Sequence, residues 1–294
     1  MTEEGTGQVI EPRAANGCVV CSNTVNSPLY GGLSKCQDCG HVFAKVDLTD
    51  EELYELYNSD YFCGGEYRDY VADKKVAQRN FELRFEVLKF FLQASRHKYL
   101  FEVGSAYGFF LDLVQDNFDA AQGIEINEAG ARYAIEQLNL SVIHGDFLTH
   151  DFGDQAFDVV CMWDTIEHLR RPDLYLQKIS QHTKHGALLA LTTGDIASFS
   201  ALFRKEKWRL IHPPTHVHYF SEATLARMLD RCGFDVIYKR YCGFYRNAGN
   251  AAHNILVLRY RSPILFKLLQ RSRVTSLNFY LNLHDITYVI ARRR

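Results

Sequence analysis

The sequence predicts an α/β protein, in which a doubly wound, mostly parallel β-sheet follows a small cysteine-rich segment. Three observations favour this fold class. Short apolar runs typical of buried strands alternate with amphipathic runs typical of helices between residues 99 and 237. The first of these strands ends in a glycine turn that leads directly into a helix. Two Cys-x2-Cys pairs stand near the N-terminus.

Length and composition restrict the protein class. The chain has 294 residues, enough for one large domain and an appendage, and 47% of them are hydrophobic, enough for a core. A formal net charge of −2 provides no overall field that would attract nucleic acid. No apolar run approaches the ~18 residues of a membrane span. The acidic N-terminus lacks the apolar segment of a signal peptide, so we expect a cytoplasmic protein.

The cysteine pairs indicate a metal site. Cys18 and Cys21 form the first pair, Cys36 and Cys39 form the second, and fourteen residues separate the pairs. Four thiolates complete a tetrahedral zinc site, which leaves no position for water, so the metal is predicted to be structural. We therefore predict a zinc ribbon over residues 1–45, with redox-active thiols as the alternative.

An aromatic segment follows over residues 46–80. Its tyrosines cluster around a Gly-Gly pair and suggest a lid that folds over a ligand, or else packing between the ribbon and the main domain. Tyr61, Tyr67 and Tyr70 are the candidate ligand contacts. The helical period of Lys75 to Leu92 leads into the first strand.

The glycine turn follows the strand Tyr99 to Val103. Its spacing is Gly104-x3-Gly108, which differs from the dinucleotide fingerprint. Glu102 precedes the first glycine by two residues and suits a positively charged ligand group better than a pyrophosphate. The free amides of the following helix remain available to the same ligand.

Two further strands end in acids. Glu125 closes the second strand, seventeen residues after Gly108, where a carboxylate can accept from both ribose hydroxyls. The third strand runs into Gly145, Asp146 and Phe147.

In this order, the motifs resemble those of class I S-adenosylmethionine-dependent methyltransferases. The resemblance implies a Rossmann-like sheet of seven strands over residues 81–294, with an antiparallel last strand. It also implies that Asp146 accepts from the adenine amino group while Phe147 covers the ring. Ala106 departs from the fullest form of the motif, in which a glycine stands there. The candidate cofactor-binding residues are Glu102, Gly104, Ser105, Gly108, Phe109, Glu125, Ile126, Asp146, Phe147, Trp163, Asp164, Tyr61 and Tyr70.

The fourth strand, Phe157 to Trp163, leads into Asp164-Thr-Ile-Glu167-His168. His168 is the candidate general base for a hydroxyl acceptor. If this run is helical, Asp164, Glu167 and His168 share a face. The run resembles the Glu-x-x-Glu-His element of metal-dependent O-methyltransferases, with Asp164 in place of the first Glu. A bound Mg²⁺ is therefore the second hypothesis for the role of these residues, and a structural cap or salt bridge is the third.

Acceptor-side insertions are predicted near residues 194–219 and 246–284. The first follows the fifth strand, Gly186 to Thr193, and brings His216 to the ligand edge beside two other histidines. The catalytic candidates are thus His168, His216 and Glu167. A helix from Ser221 to Leu229 and a strand from Cys232 to Ile237 come next. These features resemble a zinc-ribbon branch of methyltransferases that acts in sugar or polysaccharide biosynthesis.

The last strand is predicted over Asp285 to Ala291. Arginines before it and at the C-terminus could meet an anionic acceptor, such as a nucleotide-linked or lipid-linked sugar, or form a solvated face or oligomer contact. The predicted function is O-methylation of a sugar or similar polar small molecule. The alternatives are an RNA-directed methyltransferase, which the neutral charge disfavours, and a non-catalytic cofactor-binding scaffold.

Overall fold

The computed structural model describes most of the chain. The described residues are 17–49, 52, 55–56, 70–253, 256, 261–262, 265–266 and 277–294. Tyr61 and Tyr67, two candidates from the predicted aromatic segment, lie outside them. Within the described ranges, no helix combines the length and apolar character that crossing a bilayer requires.

Thirteen strands and seven α-helices have described bounds. The strands are β1 (Asn26–Pro28), β2 (Leu33–Cys36), β3 (Val42–Ala44), β4 (Tyr99–Val103), β5 (Ala120–Glu125), β6 (Val142–His144), β7 (Phe157–Trp163), β8 (Thr183–Gly194), β9 (His218–Tyr219), β10 (Phe234–Tyr241), β11 (Phe244–Asn247), β12 (Asn278–Leu281) and β13 (Ile286–Arg293). The helices are α1 (Lys74–Lys89), α2 (Phe109–Val114), α3 (Glu128–Leu138), α4 (Pro172–Gln181), α5 (Phe199–Arg204), α6 (Glu222–Arg231) and α7 (Ala248–His253).

The large sheet has seven strands in the order β10-β13-β8-β7-β4-β5-β6. Strands β8, β7, β4, β5 and β6 are mutually parallel, and β13 runs antiparallel to its two neighbours. This confirms the predicted mostly parallel α/β sheet. The chain builds outward from β4 in one direction and from β7 in the other, which leaves a crevice at the carboxyl ends of these strands.

Helices cover both faces of this sheet, as the sequence periodicity predicts. Strand β7 is buried along its whole length, so its alternate residues serve two cores. Val160 and Met162 join the core under α4 and α6. Val159 and Cys161 join the core under α1, α2 and α3. The predicted start of the helix at Ser221 is also confirmed, since Ser221 and Thr224 form a capping box.

The small N-terminal sheet takes its fourth strand from the main domain. Its order is β1-β2-β3-β9, and β9 belongs to the insertion that follows β8. The register pairs Val42 with Tyr219 and Phe43 with His218. A side-chain ion pair at 3.0 Å between Arg227 of α6 and Asp38 also joins the small sheet to the large domain. The N-terminal segment is therefore continuous with the acceptor-side insertion.

The second insertion contributes a short hairpin. Strands β11 and β12 pair antiparallel, and α7 follows β11. The Asn80 side chain of α1 donates to the carbonyl of Tyr245 at 3.1 Å, which fixes the hairpin against the first helix.

Candidate active site

One cleft of about 290 Å³ opens at the carboxyl ends of β4, β5, β6 and β7. The loops that follow these strands line it, as expected at a reversal of strand order. The predicted cofactor residues that line the cleft are Tyr70, Glu102, Gly104, Ser105, Glu125, Ile126, Asp146, Phe147, Trp163 and Asp164. His168 lines it as well, whereas Glu167 and His216 do not.

Gly104 and Ala106 determine the shape of the glycine turn. Gly104 has a φ of +75°, and a Cβ on it would lie 2.9 Å from Cγ2 of Thr165. Ala106 has a φ of +47°, in the left-handed region that glycine occupies at lower cost. A glycine at position 106 would thus adopt this backbone angle at a lower energetic cost. The small size of the alanine side chain is not the relevant difference.

Gly108 and Phe109 do not line the cleft, in contrast to the prediction. A Cβ on Gly108 would meet Leu140 at 2.6 Å and Ala134 at 2.9 Å, so this glycine permits close packing against α3 instead of approach to a ligand. The Phe109 ring is buried and stacks on Tyr70 with 5.1 Å between the centroids. Phe109 therefore supports a cleft residue from behind.

Three residues that line the cleft each have a buried polar atom without a hydrogen-bond partner in the described part of the chain: Glu102 Oε2, Ser105 Oγ and Trp163 Nε1. Leaving such an atom unsatisfied costs about 1–3 kcal/mol. Burial, and then the neighbouring Glu125 carboxylate, raise the pKa of Glu102 well above its ordinary value. A ligand that offers a cationic donor to Glu102 would relieve both costs.

Backbone amides orient the second acid, Glu125. Its carboxylate accepts from the amide of Ala106 at 2.6 Å and from the amide of Asn127 at 2.8 Å. Burial raises the pKa of Glu125, although these two amides act in the opposite direction. The carboxylate bridges the loops after β4 and β5, and its remaining lone pairs can accept from a ligand.

The loop after β6 presents an acid beside an aromatic ring. Oδ1 of Asp146 accepts from the amide of Leu148 at 2.6 Å. The Phe147 ring stacks on Tyr175 of α4, with 5.4 Å between the centroids and 22° between the planes. Tyr175 also lines the cleft, and the sequence analysis missed it.

Arg84 of α1 is a second cleft residue that the sequence analysis missed. Its Nη2 lies 2.8 Å from Oδ2 of Asp164, and its guanidinium stands 5.5 Å from the centre of the Trp163 ring. The signal in the sequence is a cation between Phe81, Phe85 and Leu88 on the apolar face of a helix. A buried cation at such a position needs a partner, which Asp164 provides.

Asp164 does not share a helical face with Glu167 and His168, because the condition of that prediction, a helical run, is not met. Its φ of +50° breaks the run, which is a turn and not a helix. Its carboxylate binds Arg84 and accepts from Oγ1 of Thr192 at 2.8 Å. The left-handed backbone angle of Asp164 directs its carboxylate away from the side chains of Glu167 and His168.

Instead, the structure groups Glu167, His168 and His216. Their ligand atoms all lie within 4.8 Å of one another. His168 Nδ1 lies 2.9 Å from the carbonyl of Thr215, which can only accept, so the ring proton is on Nδ1 and the lone pair is on Nε2. Burial lowers the pKa of His168 to about 4. The centre of the His216 ring lies 4.5 Å from that of His168, and burial lowers the pKa of His216 too.

Glu167 lies in the interior beside the two histidines. Its Oε2 accepts from Oγ1 of Thr193 at 2.9 Å, and its carbonyl accepts from the amides of Val217 and His218 at 2.9 and 3.0 Å. Burial, and then the charge of Asp164, raise the pKa of Glu167 to about 8. This carboxyl group is mainly protonated at neutral pH.

The four predicted metal-binding cysteines also lie together. The sulfurs of Cys18 and Cys39 are 3.5 Å apart, and so are those of Cys21 and Cys36. All four are free thiols within 4.8 Å of one another. Zinc–sulfur bonds of about 2.3 Å require sulfurs roughly 3.8 Å apart in a tetrahedron. The donor set and its size fit a zinc ion.

The strands that form the cleft lie in a part of the chain that matches a known protein family. The model of a family described as "Methyltransferase domain" matches residues 76–239, more than half of the chain. A comparison with the curated proteins finds no significant match.

Several solved structures are similar to this one. One is an S-adenosylmethionine-dependent methyltransferase from Thermotoga maritima, with a TM-score of 0.52 and 15% identity over 82% of this chain and 100% of the other. Another, from Mesorhizobium loti, has a TM-score of 0.48 and 14% identity over 71% and 97%. A third, from Methanosarcina mazei, has a TM-score of 0.47 and 17% identity over 70% and 96%. At such identities, the similarity concerns the fold alone.

Proposed function

The chain belongs to the methyltransferase domain family and is an S-adenosylmethionine-dependent methyltransferase, and from this premise we propose that it methylates a hydroxyl group of a sugar or similar polar small molecule. The observation behind this proposal is the position of His168. This histidine lines the cleft, and the contact of its Nδ1 with the carbonyl of Thr215 assigns the proton to Nδ1 and makes Nε2 the basic nitrogen. A hydroxyl acceptor has to lose its proton as it attacks, and a histidine at that edge can receive it.

The cofactor would occupy the cleft through its three acids. S-adenosylmethionine supplies a methyl group that its sulfonium already activates. Glu102 would hold the ammonium group, Glu125 the ribose hydroxyls and Asp146 the adenine amino group, with Phe147 against the ring. The unsatisfied oxygen of Glu102 supports the first assignment, because an ammonium group would both donate to it and lower its pKa.

His168 would act as an uncharged base. With its pKa lowered to about 4, the ring is neutral at physiological pH and can take up a proton. A weak base is sufficient, because the acceptor oxygen becomes strongly acidic as its bond to the methyl carbon forms. His216 stands behind His168 and would hold the ring in place, together with the carbonyl of Thr215.

The Glu167, His168 and His216 cluster also supports a second hypothesis, a bound divalent cation that activates the acceptor. Two imidazoles and one carboxylate suit transition metals better than Mg²⁺, which prefers oxygen ligands. Of the three residues only His168 lines the cleft, so an ion held by all of them would not face the acceptor directly. We therefore favour the base.

We also propose that the four N-terminal cysteines hold a structural zinc ion, and that the acceptor belongs to sugar or polysaccharide biosynthesis. The compact sulfur cluster supports the zinc. The resemblance to the zinc-ribbon branch supports the acceptor class.

Calorimetry with S-adenosylmethionine and its demethylated product tests the cofactor site. We expect both to bind the zinc-loaded protein, and we expect Glu102→Gln to weaken the binding of both by about 10- to 100-fold, as the loss of a charged hydrogen bond predicts. Glu128→Gln, on the exposed face of α3, is the matched control and should bind normally. Failure of the unaltered protein to bind would refute the proposed site.

Acceptors are then screened by mass spectrometry for the gain of one CH₂. Methylated nucleotide sugars or related hydroxyl compounds would support the proposal. Turnover of RNA with a steep salt dependence would replace it with the RNA-directed alternative. Cofactor binding without turnover of any acceptor class would favour a scaffold.

A further inference from the structure

A short apolar protrusion stands on the insertion that follows β8. Three large hydrophobic side chains of α5 are exposed: Phe199 at 84%, Leu202 at 60% and Phe203 at 79%. The two phenyl rings are parallel within 11°, with 6.2 Å between their centroids. Soluble surfaces tolerate single exposed hydrophobic residues, whereas a contiguous group indicates a contact surface.

The protrusion is anchored at both ends, so its exposure is built into the fold. Ser198 is buried and caps α5 by accepting from the amide of Ala201 at 3.2 Å. At the other end, the indole of buried Trp208 donates to Asp285 at 2.9 Å. Ala201 is fully buried between these anchors. The helix is therefore held with its phenylalanines outward.

Cations follow the apolar group directly in the chain. Arg204, Lys205 and Lys207 are exposed and form no ion pair with any acid in the described part of the chain, and Glu206 is the one acid among them. The combination of aromatic and aliphatic side chains with flanking Lys and Arg is the composition that binds the interface of an anionic bilayer.

The size of the apolar group argues against a protein partner. Three side chains offer on the order of 400 Å² at most, whereas a stable protein interface takes about 800 Å² from each partner. The group is nevertheless large enough for reversible insertion at a lipid surface, where charge attraction adds to apolar burial.

We propose that this protrusion, residues 199–207, docks the protein peripherally on an anionic membrane surface. It would bring the cleft to an acceptor carried by the lipid, since the same insertion continues directly to His212 and His216. The proposal goes beyond the methyl transfer, and the docking itself does not depend on which acceptor the enzyme methylates.

Vesicle flotation with the full-length, zinc-loaded protein tests the proposal. One vesicle population is phosphatidylcholine alone, and the other contains roughly one third phosphatidylglycerol. We expect binding to the anionic vesicles that weakens as salt rises. The F199S/F203S double variant should lose about tenfold or more in partitioning, and R204E/K207E should lose the preference for phosphatidylglycerol.

The matched control is Phe90→Ser, because Phe90 is equally exposed at 85% and lies at the end of α1, away from the protrusion. It should bind as the unaltered protein does. Equal or absent binding to both vesicle populations would overturn the proposal, as would the same loss in Phe90→Ser. Sedimentation that shows F199S/F203S abolishing self-association would assign the surface to a second copy of the chain instead.

Discussion

At the scale of single residues, burial moves the pKa values of two neighbours in opposite directions. Burial lowers the pKa of His168 to about 4 and raises that of Glu167 to about 8. Both groups are consequently uncharged near pH 7. A proton taken from the acceptor would create the first full charge of this group on the imidazolium of His168, which the carbonyl of Thr215 would stabilise by accepting from its Nδ1.

Replacing His168 tests the base directly. We expect His168→Gln to lower kcat by about 10²- to 10⁴-fold, the range for loss of a general base. The affinity for S-adenosylmethionine should change little, because Gln keeps the side chain in the cleft without a basic nitrogen. Steady-state kinetics and calorimetry measure the two effects.

His182→Gln provides the control, since His182 lies between the end of α4 and the first residue of β8 and does not line the cleft. Its kinetics should remain those of the unaltered enzyme. Equal activity in His168→Gln would remove the base from the mechanism.

Replacing Glu167 separates the base from the metal hypothesis. Gln has the shape of a protonated Glu, so Glu167→Gln should retain most activity near pH 7 if the carboxyl group is neutral there, as its raised pKa implies. A metal ligand must be ionised, so a bound cation predicts a large loss and rescue by added Mn²⁺. Activity measured with and without added metal decides between the two.

The buried histidines also predict acid sensitivity. The folded-state pKa values of His168 and His218 are lowered to about 4, so each contributes stability above pH 6.5 that is lost as the pH falls toward 4. Each shift corresponds to about 3 kcal/mol at most. Glu167 behaves oppositely, since its contribution is lost as the pH rises from 4.5 through 8.

We therefore expect the free energy of unfolding, measured in urea, to fall between pH 6.5 and 5. His168→Gln should flatten this fall. Zinc release is followed in parallel, because acid also protonates thiolates. The buried acids act in the opposite direction, so an equal pH dependence in His168→Gln and the unaltered protein, with zinc retained, is the result that would contradict the prediction.

Sequence reasoning located most cleft residues but not their partners. Glu102 and Glu125 lie at the ends of recognisable strands and Asp146 follows one, so their positions could be predicted from chain order. Arg84 lies on a helix that precedes the sheet, and only the fold brings it to Asp164. The left-handed angle of Asp164, which separates it from Glu167, has no signature in residue type.

At the scale of elements, strand β9 links the cysteine sheet to the candidate base. Strand β9 pairs with β3, and the amides of Val217 and His218 donate to the carbonyl of Glu167. His218 Nε2 donates to the carbonyl of Arg170, so its Nδ1 accepts from His41 at 3.0 Å. The N-terminal sheet thus positions the loop that contains His168.

Removing the proposed zinc should impair the acceptor side more than the cofactor side. For Cys39→Ser, or after chelation, we expect a fall in kcat of about 100-fold, within the range for a displaced base. The dissociation constant for S-adenosylmethionine should change little, because the ends of β4 to β7 form the proposed cofactor site. Limited proteolysis should report new cleavage within residues 195–219.

Cys232→Ser is the matched control, since Cys232 is a free thiol outside the cluster. It should retain zinc, cofactor affinity and turnover. Parallel loss of cofactor binding and turnover in Cys39→Ser would show instead that the cysteine sheet supports the whole domain.

The regular elements could be predicted because their signals are local. Strand β7 is one continuous apolar run, and α6 begins with a serine cap. Strand β9 has two residues and no alternation that distinguishes it from a loop. Its existence depends on β3, far away in the sequence, so local pattern could not reveal it.

At the scale of the whole molecule, the cleft joins loops from both halves of the sheet. A ligand that contacts the ends of β4, β5, β6 and β7 should therefore stabilise the fold as one unit. We expect S-adenosylmethionine at about 100 times its dissociation constant to add about 2.7 kcal/mol to the free energy of unfolding. Calorimetric melting measures this, and Glu102→Gln should show a smaller shift at the same concentration.

The pairing of β3 with β9 also bears on how the chain is made. His41 and His218 are 177 residues apart, and the ribosome releases His41 first. Until His218 emerges, the nascent cysteine sheet has three strands and an open edge at β3, which could pair with another chain. Translation of the insertion that follows β8 closes that edge, so completion of the first sheet and placement of the loop that contains His168 coincide during synthesis.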